Sequence, residues 1–347
     1  MSSFKKYLLW KLKTSALRTV LFTVLAVMLI LPMVSEAVDY THSDISYSSC
    51  GISNLEILLG ILCTVIPIIE LSGFKNRRNI DTLYFLPIRR EKLAAAHYIS
   101  GFLQIFFIYT VAFFATYAYL TISTDWFALG YMLPYYFLSL LVGLGIYSIF
   151  AFIFSQANTV LDGVIFCAAW IFVVYLVICG IQECIIESFI NSQYFFNNRF
   201  AYFLRDWGLI YEQLDSLTVI FYDMIEINDP RNNSYIPWIM DHVYMFFIWG
   251  AAGIAAAIGY FITFVKKGAE KAGEISDTPF GYKTLIPVIA YLAILLAKGH
   301  VISISLYVAM MVIAYVVYRR GFKFKKSDVI CMLCSIPAII LSLIIGS

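Results

Sequence analysis

Charged residues are scarce in this chain of 347 residues, since only 13% are Asp, Glu, Lys or Arg while 61% are hydrophobic. Soluble domains carry roughly 25% charged residues, so a soluble fold of this length could not cover its surface. Disorder is excluded too, because disordered segments are poor in aliphatic and aromatic residues. The net charge of +2 offers no basic field to a nucleic acid. The composition therefore predicts an all-α polytopic membrane protein without a nucleic-acid partner.

The sequence also lacks the motifs of nucleotide binding and of metal or serine catalysis. No G-x-x-x-x-G-K-[ST] occurs, so no Walker A loop can hold ATP in this chain. Neither H-E-x-x-H nor G-x-S-x-G is present, and the four histidines are scattered. We therefore expect no catalytic residue, no metal site and no cofactor in this chain. An intramembrane enzyme stays as an alternative function.

Cysteine is too infrequent to build a disulfide framework, with seven residues in the whole chain. Cys331 and Cys334 form a C-x-x-C inside an apolar run, where we interpret them as packing residues. Cys50 and Cys184 both fall in predicted outside loops, and the sequence leaves open whether they pair.

Long apolar runs, by contrast, are abundant. A membrane-spanning helix needs roughly 20 mostly apolar residues. We predict about nine spans, a six-helix core followed by a three-helix C-terminal extension, near 20–38, 55–74, 96–122, 131–154, 160–181, 239–265, 285–297, 301–318 and 329–345. A re-entrant hairpin is the alternative for the two short runs after residue 284. Residues 1–19 are predicted as an interfacial helix, with a signal peptide as the rival interpretation of the N-terminal region.

The basic residues predict a cytoplasmic N-terminus. With that orientation, twenty of the 24 lysines and arginines lie in the cytoplasm. The acidic and aromatic segment 182–238 then lies outside, where it is expected to form a cap. The predicted domains are an N-terminal arm 1–19, a six-span core 20–265 with loop 75–93 and cap 182–238, a basic linker 266–283, and a C-terminal extension 284–347.

The most informative polar segment is the cytoplasmic loop 75–93. A helix beginning near Asn79 would carry Asp81 in its first turn, where an acid is favourable, and Pro87 would end it. Apolar anchors with a charged rim favour a protein partner, although an ordinary basic surface loop is the alternative. The residues expected to dock a partner are Asn79, Asp81, Leu83, Leu86, Pro87, Arg89, Arg90 and Lys92.

This loop resembles the one between the second and third spans of type-2 ABC transporter permeases (ABC-2 type). In that family an acid precedes Leu-Pro-[Ile/Val]-[Ser/Thr]-Arg. Asp81 matches the acid, Leu86–Ile88 match the core and Arg90 matches the arginine, while Arg89 replaces the usual Ser or Thr. The basic stretch 264–274, with its Glu-x-Ala-Gly, is similar to the one that follows the sixth span in Firmicute-type members.

The resemblance implies an export permease of the plasma membrane. Its coupling helix, Asn79–Leu86, would dock a separate cytoplasmic ATP-binding subunit that holds ATP and Mg, and a second permease copy or a paralogue would complete a dimer. A stripe of small residues in the sixth span, including Gly250, Gly253 and Ala257, predicts a close helix contact. A secondary transporter is the alternative, for which Glu70 and Asp162 are the acids to consider.

Overall fold

A computed structural model of the chain describes residues 3–41, 50–76, 85, 87–123, 129–181, 213–214, 217–218, 239–268, 272–274, 276–297, 299–319, 321–322, 324–333 and 335–345. Helices dominate these residues, and no strand occurs among them. In chain order the helices are α1 (Ser3–Thr41), α2 (Cys50–Ser72), α3 (Arg90–Ser123), α4 (Leu129–Gln156), α5 (Val160–Ile181), α6 (Ile239–Lys266), α7 (Tyr282–Leu296), α8 (Val301–Arg319), α9 (Lys326–Leu333) and α10 (Ser335–Ile345).

The prediction of an all-α polytopic membrane protein is confirmed at this level. Within the described residues, six helices are long and apolar enough to cross a membrane. They lie at Phe4–Ser35, Asn54–Lys75, Arg90–Ile122, Met132–Gln156, Phe246–Lys266 and Val301–Arg319. The other three predicted spans correspond to shorter apolar helices, at Val160–Val174, Tyr282–Leu296 and Asp328–Leu343. The count of nine spans therefore stays a prediction.

The N-terminal arm and the first span form one continuous helix. Helix α1 runs from Ser3 to Thr41 without an intervening turn, whereas we expected two elements. The reason is visible in the sequence, because no glycine or proline interrupts the segment before Pro32. A proline inside a membrane helix is tolerated where neighbouring helices compensate for the lost backbone bond.

The chain divides into two compact units. The first comprises residues 1–155 and 211–272, and the second comprises residues 156–210 and 273–347. Helix α5 belongs to the second unit, together with the C-terminal helices, whereas the sequence-based division assigned it to the six-span core. In the first unit, α1 and α2 pack on each other and on α3, which also contacts α6.

The second unit is organised around α7. This helix packs against α5, α8 and α10, and its Ile286 and Ala290 join a buried cluster with Met311 and Tyr315 of α8. At the end of α8, Arg319 donates two hydrogen bonds of 2.7 Å to the Asp328 carboxylate on α9. Such a bidentate pair fixes both distance and orientation.

In the first unit, α6 approaches α4 most closely at two glycines. A Cβ added to Gly253 would lie 2.7 Å from the Cα of Gly145, whereas one added to Gly250 would meet nothing within 4 Å. Ala257, the third small residue singled out in this helix, is half-buried. The approach at Gly253 is backbone against backbone, so no side-chain rearrangement can make room there.

We expect Gly253→Ala and Gly250→Ala to have opposite effects. An alanine at 253 clashes with the α4 backbone and should lower the unfolding free energy by about 1–3 kcal/mol. At the open position 250 the same change should be neutral or gain up to about 1 kcal/mol, because alanine is the better helix former. Thermal unfolding of both purified variants in detergent measures the difference. Equal melting temperatures would show that the two helices are not in contact at Gly253.

Candidate functional site

A buried carboxylate lies in the last turn of α2. The Glu70 side chain has no exposed surface, and it faces two cations of α1. Lys11 places its Nζ 3.1 Å from Oε2, and Arg18 binds Oε1 through Nη2. Both cations lie on one side of α1, because residues seven apart are separated by about two turns. A carboxylate removed from water is costly unless it is paired and hydrogen-bonded. Glu70 is paired with both cations, and its hydrogen bonds are made at Oε1, whereas Oε2 has only the ion-pair contact with Lys11 and the longer one with His97.

Helix α3 supplies the remaining partners of the carboxylate. Gln104 donates from Nε2 to Glu70 Oε1 over 2.7 Å, and its own Oε1 accepts a 2.8 Å bond from Arg18. His97 lies two turns earlier on α3, with Nδ1 3.6 Å from Glu70 Oε2 and 3.2 Å from the Glu70 carbonyl oxygen. We call Lys11, Arg18, Glu70, His97 and Gln104 the Glu70 cluster.

The hydrogen bonds around His97 assign its proton. The Glu70 carbonyl oxygen can only accept, so Nδ1 carries the hydrogen that is donated to it. The opposite nitrogen, Nε2, then accepts a 2.9 Å bond from the Tyr7 hydroxyl of α1. A neutral ring satisfies both bonds. Tyr7 thereby adds a third α1 residue that is held by the same group of side chains.

The cations that pair with Glu70 come from the N-terminal helix α1. From the sequence, this acid is expected either to snorkel or to pair with a basic residue of the loop that follows it. The sequence did contain a signal for this pairing, because Lys11 and Arg18 are seven residues apart and so lie on the same side of a helix. It was missed because residues 1–19 were interpreted as a separate interfacial element.

A second buried acid on α2 was also missed. Glu56 is 5% exposed, accepts a 3.0 Å bond from the Tyr135 hydroxyl of α4 and accepts a hydrogen bond from the Thr218 hydroxyl.

Asp162, the other acid considered from the sequence, makes its hydrogen bonds within the second unit. Its carboxylate accepts bonds from Ser276 (2.6 Å) and Tyr282 (2.9 Å), which holds the turn before α7 against α5.

The start of the loop between α2 and α3 is firmly anchored. The ring of Phe74 packs edge-on against His97, with centroids 4.6 Å apart. Lys75 is 8% exposed, and its ammonium donates to the Ser155 carbonyl of α4 over 3.1 Å. Lys267, just beyond α6, donates to the same carbonyl over 2.9 Å. These bonds hold the ends of α2, α4 and α6 together.

The far end of the loop presents an exposed basic rim. Pro87, Arg89, Arg90 and Lys92 are all exposed where α3 begins, and the predicted residues Asn79, Asp81, Leu83 and Leu86 lie outside the described part of the chain. Arg90 makes a long 3.5 Å contact with the Lys267 carbonyl. Sequence reasoning overlooked Phe85, whose side chain is 85% exposed. An exposed aromatic residue next to arginines is typical of an interface anchor.

The Glu70 cluster borders this loop on both sides. Glu70 lies five residues before Lys75 on α2, and His97 lies seven residues after Arg90 on α3. A displacement of the loop therefore acts on α1 through charged hydrogen bonds, which are stronger than neutral ones. The arrangement can transmit motion from the loop to a membrane helix.

The described residues offer no group of three His, Cys, Asp or Glu side chains that could hold a metal ion. Among the described residues, Cys63, Cys167 and Cys331 take part in no disulfide; Cys63 and Cys167 are buried and Cys331 is partly buried. Cys184 and Cys334 lie outside the described part of the chain, as does the side chain of Cys50. No protein-family model, no curated protein and no solved structure matches this chain.

We expect Glu70→Gln to destabilise the protein. The substitution leaves Lys11 and Arg18 facing each other without a counter-charge. Removing one partner of a fully buried pair costs about 3–5 kcal/mol, but both cations are partly exposed, so we expect about 1–3 kcal/mol. Chemical unfolding in detergent measures the loss.

Glu91→Gln is the matched control, because this exposed acid begins α3 outside the cluster. It should leave stability almost unchanged. Adding Lys11→Met to Glu70→Gln should recover part of the loss, since it removes one of the two uncompensated cations. Equal stability of the wild-type and Glu70→Gln proteins would show that the carboxylate is not part of a charged network.

Proposed function

We propose that this chain is the membrane-spanning permease subunit of an ABC-2 type exporter that is driven by a separate cytoplasmic ATP-binding subunit. The observation that carries the proposal is the loop between α2 and α3. Its start is anchored to α4 through Lys75, and its far end exposes Phe85 beside a basic rim. This combination of an apolar side chain and positive charge is suited to binding a protein partner.

The proposed topology places the N-terminus and the loop in the cytoplasm, with about nine spans in the plasma membrane. The six long helices would be joined by α5, α7 and the α9–α10 pair. Residues 182–238 would form an extracellular cap. The distribution of lysine and arginine supports this orientation, because basic loops are retained on the cytoplasmic side.

Docking would combine an apolar anchor with charge. Phe85 and the predicted coupling helix, Asn79–Leu86, would enter an apolar groove on the ATP-binding subunit, and Arg89, Arg90 and Lys92 would face acidic residues at its edge. Apolar contacts contribute most of the affinity of such interfaces, while charges set orientation and association rate. ATP and Mg would be bound by the partner.

The Glu70 cluster supplies a route for coupling. ATP-dependent closure of two ATP-binding subunits would displace the loops of a permease dimer. Because Glu70 and His97 flank the loop and both bind α1, the displacement would move three helices together. Alternating access would follow from this joint movement, with the close α4–α6 approach at Gly253 as a second contact between moving helices.

A proton-coupled secondary transporter is the second candidate, favoured by the Glu70 cluster itself. A buried carboxylate next to histidine and glutamine is typical of proton pathways in membranes. The presence or absence of a bound ATPase separates this candidate from the first.

We expect Phe85→Asp to abolish binding of the ATP-binding subunit, since a carboxylate cannot enter an apolar groove, and Leu83→Asp should act in the same way. The chain is purified from its native membrane, and vanadate-sensitive ATP hydrolysis and labelling by a photoreactive ATP analogue are measured in the copurified fraction. The wild-type preparation should show both signals, and the two variants neither.

Phe322→Asp is the matched control, because Phe322 is an equally exposed aromatic residue, at 83%, in a turn of the other unit. It should retain the ATPase. Normal copurification with Phe85→Asp and Leu83→Asp would remove the docking site from the proposal. If wild-type chain carries no ATPase but mediates proton flux that Glu70→Gln abolishes, the secondary transporter is the better description.

A further inference from the structure

The first four turns of α1 have two chemically different faces. Tyr7, Ser15 and Thr19 are buried and recur every four residues or so, and Lys11 lies on the same side. The opposite face is exposed, and apart from Ala16 its residues are Lys5, Lys6, Leu9, Trp10, Lys13 and Leu17. At 100° per residue these six fall within one side of the helix. We call them the outer face of α1.

The outer face continues directly into a lipid-facing surface. From Val20 onward, the exposed residues of α1 on this side are apolar, and they include Val20, Leu21, Val24 and Met28. With a rise of 1.5 Å per residue, Lys13 lies about 10 Å along the axis from Val20, and Lys5 lies about 22 Å from it. The three lysines therefore lie beyond the N-terminal end of this apolar surface, with Lys13 nearest to it.

The lysines of the outer face are separate from the cations that neutralise Glu70. Lys11 and Arg18 face the buried carboxylate, whereas Lys5, Lys6 and Lys13 are exposed on the other side of the same helix. Their charge is thus not required for packing. Trp10, which is 55% exposed among them, is the residue type that prefers the headgroup level of a bilayer.

We propose that the outer face of α1 is a binding site for anionic phospholipid headgroups, with Lys5, Lys6 and Lys13 contacting lipid phosphates and Trp10 inserted beside them. Charge complementarity favours anionic over zwitterionic lipids, since a lysine near an anionic surface contributes up to about fivefold in affinity. The proposal does not depend on an ATPase.

The site has a consequence for the protein, because the same helix carries two sets of cations. Lipid binding on the outer face fixes the rotation and depth of α1 from outside, while the Glu70 cluster fixes them from inside. The lipid composition of the membrane would thus influence the rotation and depth of α1, the helix that contacts Glu70, His97 and Gln104.

The test measures lipid contact at Trp10. The full-length protein is reconstituted in bilayers of phosphatidylglycerol and phosphatidylcholine, with one or the other lipid brominated, and quenching of tryptophan fluorescence is recorded. Subtracting the signal of Trp10→Phe isolates Trp10. We expect brominated phosphatidylglycerol to quench Trp10 with a several-fold preference, and this preference to fall as ionic strength rises.

The triple variant Lys5→Gln/Lys6→Gln/Lys13→Gln should reduce the preference at least about threefold. Lys283→Gln/Lys325→Gln/Lys326→Gln is the control, because it removes the same charge from exposed lysines elsewhere and should leave Trp10 quenching unchanged. If the wild type shows equal quenching by both lipids, or if neither salt nor the first triple variant changes its preference, the proposal is wrong.

Discussion

The pairing of the Glu70 carboxylate determines how the first three helices assemble. An isolated charge is expensive at membrane depth, and α2 places this one where its own helix has no cation to offer. Two cations of α1 and the amide of Gln104 on α3 provide the compensation. Each of these helices is long and apolar, and lipid-facing apolar surface alone would leave their relative rotation undetermined. The ion cluster selects one arrangement in which Tyr7 also meets His97.

That selection explains why α1 has faces of different chemistry. The buried side presents Lys11 and Arg18 to Glu70. It also carries Ser15 and Thr19, whose hydroxyls donate to backbone carbonyls of α1. The exposed side is free of this constraint and carries apolar residues along the membrane-spanning part. Lysines occur on this side only before the apolar stretch, at positions 5, 6 and 13. One side of α1 thus neutralises the buried carboxylate of Glu70, and the other side is suited to contact with lipid.

Composition and periodicity predicted the class of the fold, because the number of long apolar runs can be counted without knowledge of packing. The continuity of α1 was also readable, since no glycine or proline precedes Pro32, but the lysines at its start favoured a separate arm. The partners of Glu70 could not be predicted, because they depend on the rotation of α1 and α3 about their axes. The grouping of α5 with the C-terminal helices depends on bonds from Asp162 to residues more than a hundred positions away.

The anchoring of the loop before α3 limits how any partner could act on this protein. Lys75 and Lys267 both donate to the Ser155 carbonyl, so the ends of α2, α4 and α6 move as one group. At the other end of the loop, α3 is joined to α1 and α2 by His97 and Gln104. Two of the described anchors of the loop, Lys75 and His97, thus join it to α4 and to α1. A displacement of the loop reaches α1 through the Glu70 cluster, where relative movement requires the separation of paired charges. Such a contact favours two discrete arrangements over gradual bending.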